Sequence, residues 1–151
     1  MVRWISLFVV VLVIGFFVYI KINNRPPEDL GVTAGVFNPC PTTPNCVSSQ
    51  ADKADAEHYI APLIYRGSRK DTQLDIESYF LDQGNAKIVN SQLGYVHIEV
   101  ASAWFGYIDD VEFYLPEADS VVHVRSASRV GYSDLDVNRQ RIEKLKDHLK
   151  D

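Results

Sequence analysis

Between Arg125 and Glu143 the chain reads RSASRVGYSDLDVNRQRIE, setting Arg125 and Arg129, several hydroxyls, a glycine and a run of acids in the seam between an expected strand and an expected helix. Arg125, Ser126, Ser128, Arg129 and Ser133 stand just before a helix N-terminus, where free backbone N–H groups and the helix dipole attract anions. A small carboxylate or phosphate ligand suits such a place. Against this, Asp134 and Asp136 already occupy that helix end, and Asp109 and Asp110 can pair with Arg129. An arginine cluster bonded to internal acids locks a loop without any ligand. Structural use is therefore the expectation, with anion binding as the alternative.

A second set lies on neighbouring strands: His97 and Glu99, then Asp110 and Glu112, then His123 and Arg125. Glu and His within reach of each other can bind a divalent metal or form an acid–base pair. The simpler expectation is a solvated sheet face in which opposite charges pair across strands, each pair worth about a few tenths of a kcal/mol. No metal or cofactor is assigned. Ser48, Ser49, Ser126, Ser128 and Ser133 offer nucleophiles, and His58, His97, His123 and His148 offer bases, but no G-x-S-x-G, H-E-x-x-H, P-loop or G-x-G-x-x-G pattern organises them. Trp104, Phe105 and Tyr107 around Gly106 can line a pocket or insert into a partner, although aromatic residues between strands more often belong to a core.

The elements that must position these residues follow from periodicity. Residues 61–66 (APLIYR) form a short apolar run that can open a sheet, and Asp71 or Thr72 can cap a helix over about 73–83, with Leu74, Ile76, Phe80 and Leu81 as its apolar stripe and Gly84-Asn85 as its stop. Strand-like runs follow at 87–92, 95–102, 107–115 and 120–126, with a turn at 116–119. Val96, Ile98, Val100, Val122 and Val124 point one way. The last helix is expected to start at Ser133, with Tyr132 and Val137 as a hydrophobic staple and Leu135, Ile142, Leu145 and Leu149 along one face. Strand, helix, four strands, helix implies an α+β fold: an antiparallel sheet of about five strands with helices on one face.

Ahead of this domain, Trp4–Ile20 is an apolar run interrupted only by Ser6 and the Tyr19 hydroxyl, with Trp4 and Tyr19 where interfacial aromatic residues sit. Seventeen residues at about 1.5 Å each cover roughly 26 Å, close to the bilayer core. A cleaved signal peptide is the competing reading, but no small A-x-A-like pair precedes a cleavage point, so a single transmembrane anchor over residues 1–22 is expected. Residues 23–46, rich in proline, read as an extended tether ending in the loop CPTTPNC, and residues 47–151 as the domain. Arg3 on one side and Lys21 and Arg25 on the other leave the positive-inside rule nearly tied. A disulfide between Cys40 and Cys46 suits an oxidising space and is expected here over the alternative, two reduced cysteines in a cytosolic loop; with it the C-terminal domain is expected outside the cytoplasm. Residues 26–151 carry 12 basic and 20 acidic side chains, a balance of −8. Such a domain repels phosphate backbones and anionic head groups, which argues against nucleic acid and for little lipid contact beyond the anchor.

Three segments in order, CPTTPNCVSS at 40–49, DDVEF at 109–113 and RSASRVGYSDLDVNR at 125–139, resemble the DUF1499 family of small, often membrane-anchored or exported proteins. The resemblance covers about residues 38–150. Cys40, Pro41, Pro44, Asn45, Cys46, Asp109, Asp110, Glu112, Arg125, Ser126, Ser128, Arg129, Gly131, Tyr132, Ser133, Asp134, Asn138 and Arg139 fit its pattern, whereas Asp136 stands where the pattern has glycine. The family supplies no catalytic residues. It implies that the three motifs meet in space, with Asp109 and Asp110 beside Arg125 and Arg129 in one polar patch near the cysteine loop. The resulting expectation is a non-enzymatic accessory protein of the cell envelope that binds a small anionic ligand or an envelope protein through the arginine-rich seam. The alternative is a hydrolase-type enzyme using the Asp, Arg and Ser cluster.

Overall fold

The computed structural model describes residues 2–150. In chain order its elements are α1 (Val2–Asn23), β1 (Val32–Thr33), β2 (Val36–Phe37), β3 (Cys46–Ser48), β4 (Leu63–Ile64), α2 (Arg69–Asp82), β5 (Ala86–Gln92), β6 (Tyr95–Ala101), β7 (Ile108–Tyr114), β8 (Val121–Ser128) and α3 (Val137–His148). The fold is α+β, as the element order implies. The main sheet runs β3-β8-β7-β6-β5, with β4 also paired to β8, and all these pairings are antiparallel. β4 meets the start of β8 (Leu63 opposite Val122) and β3 meets its end (Val47 opposite Ser126), so two short strands share one long neighbour. β1 and β2 form a separate two-stranded hairpin.

Alternation along the strands sorts the side chains onto two faces. Val96, Ile98, Val100, Val111, Phe113, Val122 and Val124 point to the core, which Ile76 and Phe80 of α2 and Ile142 and Leu145 of α3 close from the other side. α2 starts at Arg69, earlier than periodicity indicates, because Ser68 is the N-cap: its hydroxyl accepts from Asp71 N while the Asp71 carboxylate accepts from Ser68 N, a reciprocal capping box. The stripe it buries is Thr72, Gln73, Ile76 and Phe80, whereas Leu74 and Leu81 are half exposed. Gly94, at the β5–β6 turn with φ +98, lies against the Arg69 guanidinium, which donates from Nε to Leu115 O (2.7 Å).

α3 begins at Val137, one turn later than the staple reading requires. Tyr132 is 73% exposed and Val137 46%, so no staple forms, and Leu135 at 83% exposure takes no part in the helix face. The reason is local backbone: Leu135 (φ 56) and Asp136 (φ 64) are both left-handed, which redirects the chain before the helix can start. The family pattern's glycine at position 136 is what such a φ favours.

The second face of the sheet is where expectation and structure part most. Rather than facing solvent, His97, Asp110, Glu112 and Arg125 are 5%, 2%, 1% and 7% exposed. Segment 24–37, which doubles back in the β1–β2 hairpin, lies against that face: Gly31 N donates to Glu112 Oε1 (2.6 Å), Arg129 Nη1 donates to Asn24 O (2.9 Å), and Phe37 is buried.

Candidate functional site

Asp109 and Asp110 are consecutive on a strand, so they leave it on opposite faces. The expected single polar patch is therefore two networks separated by the sheet. On the face covered by segment 24–37, Arg129 grips Asp110 with two bonds, Nε to Oδ2 (2.8 Å) and Nη2 to Oδ1 (2.7 Å), and reaches Glu99 Oε1 from Nη2 (2.6 Å). His97 Nε2 donates to Asp110 Oδ1 (2.7 Å). One pair away, Arg125 Nη1 donates to Glu112 Oε2 (3.2 Å), and the Tyr95 hydroxyl donates to Glu112 Oε1 (2.9 Å).

Burial by itself raises the pKa of Asp110, but hydrogen bonds from Arg129 and His97 outweigh it and hold the carboxyl below the usual carboxylate range. Burial likewise works against the Arg129 charge, and the bonds to Asp110 and Glu99 more than restore it. Tyr95 is pushed strongly upward by burial and by the Glu112 carboxylate, so its hydroxyl stays a donor. The one buried side-chain polar atom among the described residues without a partner is Arg125 Nε.

On the core face, at the end nearest α3, Asn138 is the hub. Its Oδ1 accepts from the Ser126 hydroxyl and from Arg141 Nη1 (2.6 Å), while its Nδ2 donates to Ser128 Oγ (3.0 Å) and to Asn45 O (3.1 Å). Asn45 Nδ2 in turn donates to Gly131 O (2.9 Å) and Ser128 O (3.3 Å), and Arg141 Nη2 binds Asp109. The helix start is occupied from within, since Asn138 N donates to Asp134 Oδ2 (2.7 Å). Ser133 is exposed and accepts from Leu135 N (3.2 Å). Thus the structure joins Arg129 with Asp110, joins Ser126, Ser128 and Asp109 through Asn138 and Arg141, puts Arg125 with Glu112, and leaves Ser133 apart. Arg125 and Arg129 make their bonds to acids on the sheet face away from α3.

The cysteine loop is closed by the Cys40–Cys46 disulfide, Cα to Cα 5.6 Å. Beside it opens a cleft of about 330 Å³ whose walls include Val36, Phe37, Pro39, Pro41 and Ala51, with Ser48, Asp52, Asp55 and His58 among its polar groups. His58 spans it at one side: Nδ1 bonds Asp55 Oδ2 (2.7 Å) and Nε2 faces Thr43 O (3.2 Å). Burial lowers the His58 pKa, but two acceptors, one on each ring nitrogen, raise it overall above the ordinary histidine value. Arg139 fixes the same region by donating to the carbonyls of Tyr59 (2.9 Å), Glu57 (3.0 Å) and Ala56 (3.2 Å). The CPTTPNCVSS motif supplies part of the cleft wall, whereas the Asp55-x-x-His58 spacing is too common to single out.

Among the described residues no group of three or more His, Cys, Asp or Glu side chains is placed to hold a metal ion. Among the described residues serine and histidine meet in one hydrogen bond, Ser49 Oγ to His123 Nδ1 at 3.3 Å. His123 carries no bonded carboxylate, and burial lowers its pKa. α1 is long and apolar enough to cross a membrane. A family model described as "Protein of unknown function (DUF1499)" matches residues 37–149. Neither a curated protein nor a solved structure matches the chain.

Proposed function

The chain belongs to the DUF1499 family, and from that premise we propose that it is a membrane-tethered, non-enzymatic binding module whose domain faces an extracytoplasmic space. α1 serves as the uncleaved anchor: twenty-two residues at about 1.5 Å each span roughly 33 Å, matching the hydrocarbon core. The disulfide supports an oxidising compartment.

One observation carries the binding reading: the acids and arginines of the family motifs are bonded to internal partners, whereas the concave surface beside the disulfide loop is open. A cleft of about 330 Å³ is at the small end of ligand sites. Its prolines and Phe37 suit an apolar body, and Asp52 gives it a negative edge, since Asp55 is matched by His58. The ligand is a small apolar molecule or partner side chain with a cationic or neutral polar end, rather than the anion that the arginine-rich seam suggests from sequence. Because a ligand that binds only the folded state raises its apparent stability, thermal unfolding of the full chain in detergent against butylamine, acetate and inorganic phosphate tests this. Butylamine should raise Tm, and Phe37→Ala should remove the effect. Stabilisation by phosphate that survives Phe37→Ala would count against the cleft.

The hydrolase reading has the Ser49–His123 pair in its favour, because a neutral imidazole accepting from a hydroxyl is how a serine nucleophile is prepared. Ser49 Oγ also accepts from Val124 N (2.9 Å), which makes it part of the β8 edge. A serine-directed fluorophosphonate should leave the protein unlabelled; labelling abolished by Ser49→Ala would favour the enzyme.

A further inference from the structure

The end of α1 is fixed to the turn between β6 and β7. Ile20 is buried, Asn24 Nδ2 donates to Gly106 O (2.6 Å), and Ile108 N donates to Asn24 Oδ1 (3.1 Å). The turn itself is closed by Ser102 N to Tyr107 O (2.8 Å), Gly106 N to Ser102 O (3.3 Å) and Tyr107 N to Ser102 Oγ (3.0 Å). A helical turn before Ile20, the Phe16 ring meets Phe105 edge-on at a centroid distance of 5.7 Å, and Phe105 in turn lies 6.0 Å from Tyr107. Trp104, next to Phe105, is 87% exposed.

We propose that the β6–β7 tip, Ser102–Tyr107, inserts into the lipid bilayer alongside α1, with Trp104 and Phe105 as the embedded residues. The inference rests on α1 being a retained membrane span. Depth then follows from geometry: Phe16 lies four residues inside the end of the apolar run at Ile20, or about 6 Å at the helical rise. Phe105 touches Phe16, so it shares that depth. Composition agrees, since residues 101–108 (ASAWFGYI) carry no charge while residues 26–151 as a whole balance at −8. Anionic head groups do not repel an uncharged tip as they repel the acidic surface of the domain. Tryptophan favours the membrane interface because its ring is apolar and its indole N–H is polar. Two attachments, a helix and a tip, would fix the domain's orientation on the membrane rather than let it swing on a tether.

The test uses the full chain in phosphatidylcholine vesicles as two single-tryptophan variants, Trp4→Phe reporting Trp104 and Trp104→Phe reporting Trp4. Emission is measured with lipids brominated at shallow acyl positions and with aqueous iodide. Insertion predicts blue-shifted Trp104 emission, most of it lost to the brominated lipid and little to iodide. If Trp4 is quenched by brominated lipid while Trp104 emits as in water and is quenched by iodide, the anchor stands and the tip proposal is overturned. If Trp104 is shielded from both quenchers, protein covers it, whether a partner or a second copy, and the proposal is again overturned. If neither tryptophan responds to brominated lipid, the anchor reading fails and takes this inference with it.

Discussion

Replacing Arg129 by methionine keeps an unbranched side chain of similar reach but removes the guanidinium that binds both oxygens of Asp110, one of Glu99 and the Asn24 carbonyl. Asp110, 2% exposed, is left with His97 as its partner. Removing one member of a buried ion pair costs about 3–5 kcal/mol, because the remaining charge is stranded away from water. For a domain of this size a loss of that order lowers Tm by roughly 12–20 °C. Asp110→Asn should cost less, because Arg129 keeps Glu99 Oε1 and the Asn24 carbonyl as partners. Combined, the two substitutions leave Glu99 and the Asn24 carbonyl without their arginine; Glu99 is 19% exposed and Asn24 is partly exposed, so both can draw on water. The double variant should therefore lose less than the sum of the singles, with a coupling of about 1–3 kcal/mol. Thermal and urea unfolding of the full chain in detergent, followed by near-UV circular dichroism, gives all four stabilities. An Arg129→Met cost below about 1 kcal/mol, typical of an exposed pair, or strictly additive losses, would refute the reading of this cluster as a buried lock.

Acid should act through the same cluster. The folded Asp110 pKa lies below its unfolded value, so the unfolded chain binds the proton first. Its contribution is present above about pH 4 and is lost as pH falls through the folded value; Asp110→Asn should flatten the acid limb of a Tm–pH curve. His58 has the opposite sign: its pKa is raised, so its contribution is complete below about pH 6.5 and fades as pH rises through the higher folded value. His123, with its pKa lowered, works against this trend, so the comparison that isolates His58 is wild type with His58→Gln between pH 6 and 8, where the variant should show the shallower decline. Asp136→Gly should raise stability by up to about 1 kcal/mol, since glycine takes the left-handed backbone at φ 64 without the Cβ penalty; a loss in urea unfolding would mean that the Asp136 side chain matters in some other way. Cys40→Ser with Cys46→Ser opens a short loop and should cost about 2 kcal/mol on the chain-entropy scale, read as the same Tm drop that reduction of the wild type produces.

Much of the sheet was legible because alternation and turn chemistry are local. β5 to β8 fall within about two residues of the ranges their valines and isoleucines indicate, and Gly84-Asn85 ends α2 as expected. The failures share a cause: they depend on what covers a residue. Period two places His97, Glu99, Asp110, Glu112 and Arg125 together, but nothing in it shows that Asn24 and Gly31, sixty or more residues away in sequence, come to lie on them. Leu74 and Leu81 resemble a helical stripe by hydropathy alone, yet capping at Ser68 and the bond from Gly94 N to Gln73 Oε1 (2.9 Å) set the rotation that buries Thr72 and Gln73 instead. β3 is three residues beside a disulfide loop, too short for any period to register. Asp109 and Asp110 are separable from sequence, since adjacent strand residues diverge, although their contiguity in one motif suggests a single patch.

Whether the motif arginines are scaffold and the disulfide-loop cleft is the binding surface comes down to which groups answer a ligand. Heteronuclear NMR of the full chain in micelles can follow the Nε–H signals of Arg125 and Arg129 together with the amides of Phe37, Asp52 and His58 during titration with inorganic phosphate and, separately, butylamine. The expected result is saturable movement of the cleft amides with butylamine and stationary arginine signals with phosphate. Saturable phosphate shifts at Arg125 or Arg129, with the cleft silent to the amine, would contradict it.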